Sequence, residues 1–205
     1  MRIILGSQSY IRKQALEGTG LAFEVIPSHF DETSITEQEP GLRALKLAEA
    51  KARVVGSLYP EALIIASDAF VHRNGELFEK PKDLGEAKAM LKSLSGTSFE
   101  FTAGLTVFNG ASGKLLSGVD SCRIEFRELS EEEIDGYIIS KPVLKCAGAF
   151  ENTGVMCFAR SISGAFIVNS GFSMCRLSNY LSEYGISMFS TCSVSNNESL
   201  MGSSR

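Results

Sequence analysis

Residues 62–68 read Ala-Leu-Ile-Ile-Ala-Ser-Asp, and this run decides the fold class. A short unbroken apolar run that stops at polar residues marks a strand buried on both faces, the kind found in layered α/β proteins. Side chains at the ends of such strands face the ligand crevice. The strand is therefore placed at 63–66, with Asp68 at or just beyond its end and directed at a site. The competing reading of Asp68 is a turn or helix-capping carboxylate.

Toward the N-terminus, residues 3–5 read as a short buried strand and Gly6-Ser7-Gln8-Ser9 as a turn. Ser9 then caps a helix running through Arg12 and Leu16 to Gly18. A strand at 23–26 stops at Pro27, and a polar loop follows with His29, Asp31 and Glu32. From Pro40 to about residue 57, the spacing of Leu42, Leu45, Leu47, Ala48, Ala52 and Val55 fits an amphipathic helix with Lys46 and Lys51 among its polar positions. Beyond Asp68, Asn74-Gly75 signals a hairpin, because both central positions of a type I′ turn need φ > 0. Lys80-Pro81 ends it. A helix at 84–93 follows Asp83, and long strands at 99–108 and 115–126 flank a flexible connection at 109–113. Ser130 with Glu133 forms a capping box for a short helix. A small-residue loop at 146–150, a strand at 162–168 and a helix at 172–184 complete the pattern. Strands alternate with helices throughout, with no linker and no fixed repeat. The chain reads as one α/β domain over residues 1–187, whose two lobes enclose a cleft, with a flexible Ser/Asn-rich tail at 188–205.

Composition narrows the function. With 20 Lys+Arg against 24 Asp+Glu, the net charge of −4 speaks against a broad basic surface for nucleic acid. No apolar run approaches a membrane span and the first residues do not form a secretory signal, so a cytoplasmic protein with no membrane partner is expected. Five scattered cysteines without CxxC spacing and only two histidines read as reduced, mostly buried thiols rather than a zinc site or a disulfide framework.

No segment matches a P-loop or a dinucleotide fingerprint. What remains is a set of charges at element ends: Arg12, Lys13, Lys51, Lys80 and Lys145, with Asp31, Glu32 and Asp68. Singly, each is an ordinary solvated charge. Together they have the logic of triphosphate hydrolysis. Polyphosphate needs several cations and a helix N-terminus, which the loop from Ser7 to Ser9 supplies. Carboxylates such as Glu32 and Asp68 suit Mg²⁺, and one of them can take a proton from the attacking water. The spacing does not separate the metal role from the base role.

The segments IILGSQSYIRKQAL, FDET, LAEAKA, the Ser-Asp pair after LIIA, EKP, AMLKSLSG, FRELSEEEIDGYI and KCAGAFENTG resemble, in order and spacing, the Maf family of nucleoside triphosphate pyrophosphatases. The similarity runs from about Arg2 to Gly185. It implies an inosine-triphosphatase-like α/β fold with a mixed central sheet, flanking helices, a cleft between two lobes and a homodimer. It also implies hydrolysis of a nucleoside triphosphate to the monophosphate and pyrophosphate with Mg²⁺ or Mn²⁺. On the matching positions Asp68 is the proton acceptor, and Glu32 and Asp68 serve the metal. Lys80 joins them in catalysis, and Ser7, Ser9, Arg12, Lys51 and Lys145 bind phosphates. The AGAF segment is more similar to the branch acting on 7-methyl-GTP, in a house-cleaning role that keeps modified nucleotides out of nucleic acids, than to the dTTP and UTP branch.

The departures concern selectivity. Tyr10 stands where the family's first loop has proline. Ile11, Ala69 and Thr153 occupy the base-selecting positions where the 7-methyl-GTP branch has Trp, Gln and Glu, so two polar base contacts and an aromatic surface are gone. These changes motivate an alternative, a catalytically silent nucleotide-binding protein acting in septum formation or cell-division arrest. The retained charges Glu32, Lys51, Asp68 and Lys80 favour the enzyme.

Overall fold

The computed structural model describes residues 1–168 and 170–188. The strands are β1 (Ile3–Leu5), β2 (Glu24–Val25), β3 (Leu63–Arg73), β4 (Glu76–Phe78), β5 (Ser98–Asn109), β6 (Leu115–Phe126) and β7 (Ala159–Gly164). The helices are α1 (Tyr10–Glu17), α2 (Pro40–Leu58), α3 (Leu84–Leu94), α4 (Glu131–Ser140), α5 (Asn152–Phe158) and α6 (Met174–Ser182). The seven strands form one sheet in the order β2-β1-β3-β5-β6-β7, with β4 also beside β3. β1 is parallel to β2 and β3, and every other pairing is antiparallel. This is the mixed central sheet with flanking helices expected from the sequence.

The strand ending near Asp68 is corrected. β3 continues to Arg73, so Asp68 lies mid-strand, held there by antiparallel pairing with β5 from Leu63 to His72. The polar residues Ser67, Asp68 and His72 disguise a strand whose partners, not its own hydrophobicity, determine its length. Its other edge is divided. β1 pairs with residues 63–65 and β4 with 71–73, so residues 66–70 have no strand partner on that side. The Ile65 carbonyl accepts the Gly6 N–H at 2.8 Å. With a period of two, the main-chain groups of Ser67 and Ala69 face the same edge.

Three apolar clusters hold the layers. On one face of the sheet, Ala52 and Val55 of α2 pack on Ile4, Ile64 and Ala66. On the other, Leu16 of α1 with Leu177 and Leu181 of α6 cover Leu5, Leu63, Ile65 and Val107. Further along β3 and β5, residues from α3, α4 and α5 enclose Phe99, Phe126, Phe150 and Phe158. The Phe99 and Phe126 rings meet edge to face at 4.8 Å. Each such buried ring contributes on the order of 2 kcal/mol. α2 rests directly on β5 at Gly104, where a β-carbon would come within 2.5 Å of the Ala44 backbone.

The capping reading holds, since Ser9 accepts from the Arg12 N–H and Ser130 and Glu133 form the capping box. The C-terminal third shifts. The strand placed at 162–168 is β7 at Ala159–Gly164, ending where Gly164 takes φ +104. α5, which lacks a side-chain cap, precedes it unanticipated. Of the cysteines, Cys122 and Cys146 are buried while Cys157 and Cys175 are exposed, all four free. Cys192 and all of the expected tail at 188–205 except its first residue lie outside the described residues. Met188 packs against the cluster built on α6.

Candidate active site

The sequence places each charge of the site on a different element, and the open edge of β3 is where they meet. Lys51 projects from α2, and its Nζ lies 2.7 Å from Asp68 Oδ2 and 2.7 Å from Glu32 Oε1. Asp68 points to the α2 face because it alternates in phase with Ile64 and Ala66. Its other oxygen, Oδ1, accepts the Ala69 N–H at 2.9 Å. Glu32 reaches in from a single 3-10 turn, Glu32–Ser34, whose preceding residue Asp31 caps it by accepting the Thr33 N–H. The Lys51 and Asp68 side chains are 11% and 15% exposed, whereas Glu32 is 55% exposed. One ammonium thus joins a largely covered carboxylate to an open one.

Arg12, in the first turn of α1, forms the opposite wall. Its Nη1 donates to Ser7 Oγ at 3.2 Å, and Ser7 Oγ also accepts the Ser9 N–H at 3.2 Å. Burial pushes the Arg12 guanidinium below the usual arginine range, while the negative charges of Asp68 and Glu32 act in the opposite sense. Ser7, Ser9 and Arg12 thus form one hydrogen-bonded group and Glu32, Lys51 and Asp68 another, close enough for the carboxylate charges to act on Arg12. β1 ends and β4 ends on either side of the uncovered residues 66–70, so the chains leaving both strands flank Asp68.

Lys80 and Lys145 stand apart among the described residues, with no ion pair to Glu32 or Asp68. Both are exposed. The Glu79 carbonyl accepts the Gly148 N–H at 3.2 Å, and the Lys80 charge is felt by the Cys146 thiol, which burial pushes up to about 11. The segment after β4 and the loop at 145–149 consequently form one unit beside the gap. Of the positions expected from the resemblance to select the base, Ala69 packs on the phenylalanine cluster to which α5 contributes Val155 and Phe158. Thr153, on α5, donates to Glu151 at 2.6 Å. Ile11 is half-buried on α1, across the gap.

Sequence reasoning gave no role to Ser67 or Gly171. Ser67 is fully buried and donates to the Gly171 carbonyl at 3.2 Å. The one available signal was the Ser-Asp pair itself, a polar residue extending an apolar strand.

Fold and site together define a mixed α/β protein with a cation–carboxylate cluster assembled at an interrupted strand edge. The chain belongs to the Maf family: residues 2–184 match the description "Maf-like protein". It is 33% identical over 190 residues to the dTTP/UTP pyrophosphatase of Syntrophus aciditrophicus (strain SB), covering 92% of this chain and 93% of that protein. Two solved structures are more distant. A HAM1 protein from Coxiella burnetii aligns with a TM-score of 0.49 at 16% identity, over 89% of this chain and 99% of its own. The Staphylococcus aureus Ham1 protein gives 0.43 at 14%, over 62% and 72%.

Proposed function

We propose that this chain is a nucleoside triphosphate pyrophosphatase, converting a nucleoside triphosphate and water to the monophosphate and pyrophosphate. The observation that carries the reading is the convergence of Asp68 and Glu32 on Lys51, each at 2.7 Å, beside the half-buried Arg12. Water oxygen attacks the α-phosphorus, the bond from that phosphorus to the α–β bridging oxygen breaks, and pyrophosphate leaves. Asp68 takes the water proton. Its orientation is fixed at both oxygens, by Lys51 and by the Ala69 N–H, which suits a positioned base. Arg12, Lys51, Ser7 and Ser9 bind phosphate oxygens, and Lys80 and Lys145 add positive charge from the loop unit beside the gap.

Among the described residues no three His, Cys, Asp or Glu side chains form a metal cluster. Two converging carboxylates fit a hard divalent ion such as Mg²⁺ or Mn²⁺, which takes its other oxygens from phosphate and water. Glu32 and Asp68 would hold it, and it would offset phosphate charge. The working protein in this reading is a cytoplasmic homodimer that removes modified nucleotides. The 7-methyl-GTP reading rests on the segment Cys146-Ala147-Gly148-Ala149-Phe150, and the matched relative is instead named for dTTP and UTP.

A panel of dTTP, UTP, 7-methyl-GTP and the other common triphosphates with Mg²⁺ or Mn²⁺ tests both levels. Pyrophosphate and monophosphate are the expected products, and the ranking of kcat/KM assigns the base. Release of orthophosphate overturns the reaction. Calorimetric binding without turnover across the panel favours the silent nucleotide-binding protein.

A further inference from the structure

The side chain of Arg12 lies beside a turn from the C-terminal part of the chain, at a distance that a single methyl group would bridge. Gly171 takes φ +70, and a β-carbon there would lie 3.4 Å from Arg12 Nε and 3.6 Å from its Cγ. That Nε is buried without a hydrogen-bond partner. The turn is held by several contacts, among them the Gly171 N–H, which donates to the Ile167 carbonyl at 2.8 Å. Phe172 is fully buried in the cluster of α1 and α6, and the Gly171 carbonyl accepts the Ser67 hydroxyl at 3.2 Å. The other acceptor near Ser67 Oγ, the Asp68 carbonyl, is at 3.5 Å.

An arginine can meet a phosphate side-on, through Nε and one Nη, or end-on, through its two Nη atoms. With Nε buried beside the Gly171 turn, the side-on mode is disfavoured, and the bond from Nη1 to Ser7 fixes the plane of the fork. We propose that Ser67 and the Gly171 turn are positioning groups that hold Arg12 for end-on contact with a polyphosphate. This rests on the pyrophosphatase reading only for the class of ligand. Ser67 and Asp68 thereby orient the two walls of the site from adjacent positions of one strand: Ser67 reaches the α6 face and Asp68 the α2 face.

The test is a double-mutant cycle on the full chain, read by calorimetry with inorganic tripolyphosphate and by thermal melting. Ser67→Ala is expected to weaken binding about tenfold when Arg12 is present and to leave it unchanged in an Arg12→Ala background, a coupling of the size seen within one hydrogen-bond network. Gly171→Ala, strained by its positive φ, should show the same dependence on Arg12. A role confined to folding would lower the melting temperature and shift affinity equally in both backgrounds, which overturns the proposal. Failure of wild-type protein to bind tripolyphosphate also overturns it. Should Ser67→Ala not fold, Ser67→Cys, close in size but a weak donor, replaces it in the cycle. Turnover is measured separately, so a failed pyrophosphatase reading with an intact cycle leaves the assignment of Ser67 standing.

Discussion

Two lysines in this molecule each hold two carboxylates, and their surroundings give them opposite importance. Lys51 meets Glu32 and Asp68 at 2.7 Å each. Lys88, on α3, meets Glu131 and Asp135 of α4 at 2.9 and 2.6 Å. The distances hardly differ. Lys51 is 11% exposed and Lys88 is 28% exposed, with partners open to solvent at 64% and 44%. Water screens the second set and offers its members alternative partners, so it serves mainly to tack α4 to α3. The first set sits at a strand edge with no neighbouring strand, where solvent is partly excluded and a ligand can replace it. Bond length identifies an ion pair; burial and the free space beside it decide whether it can do chemistry.

The comparison can be broken most directly at Asp68. Asp68→Asn keeps the size and removes the base, and pyrophosphate release should fall by roughly 10²–10⁴-fold with the melting temperature little changed. Undiminished turnover would remove Asp68 from the chemistry. A smaller contrast is expected in stability. Lys51→Met leaves Asp68 and Glu32 facing each other without their cation and should cost about 3 kcal/mol in urea unfolding. Lys88→Met should cost within about 1 kcal/mol. Equal losses would show that burial does not separate the two sets. The finest distinction is in pH. Lys92 and Lys88 hold the Glu131 carboxyl down to about 2, and Arg127 with the Ser130 N–H does the same for Glu133. A carboxyl depressed in the folded state contributes stability above its unfolded pKa of about 4.3 and loses it as pH falls toward 2. In a carboxyl NMR titration, Lys92→Met should raise the Glu131 midpoint and leave that of Glu133 in place.

The residues that carry the site were legible because the chemistry is written in side-chain type and the family resemblance fixes their order. Their arrangement was less so. Asp68 reads as a strand-end residue because the apolar run stops at Ala66, yet β5 continues to pair with the polar stretch that follows. The interrupted edge of β3 has no local signal at all, since it exists only where β1 and β4 fall short of each other. Lys80 and Lys145 carry the same kind of resemblance as Lys51, but they stand on exposed loop segments rather than a helix packed on the sheet. α5 was missed for a local reason. Glu151 gives it no side-chain cap and Gly154 lies within it, so tertiary packing of Val155 and Phe158 overrides weak propensity.

The missing β-carbon at Gly104 has a consequence for the lysine. Gly104 pairs with Asp68 across the sheet, and its bareness lets the α2 backbone rest directly on β5. Helix height above the sheet is the baseline from which the Lys51 side chain measures its reach. An added methyl would act as a shim, raising the whole helix and carrying the ammonium with it. Position 104 should therefore behave in a mutational library like a functional residue, intolerant of anything larger than glycine, although it owns no side chain.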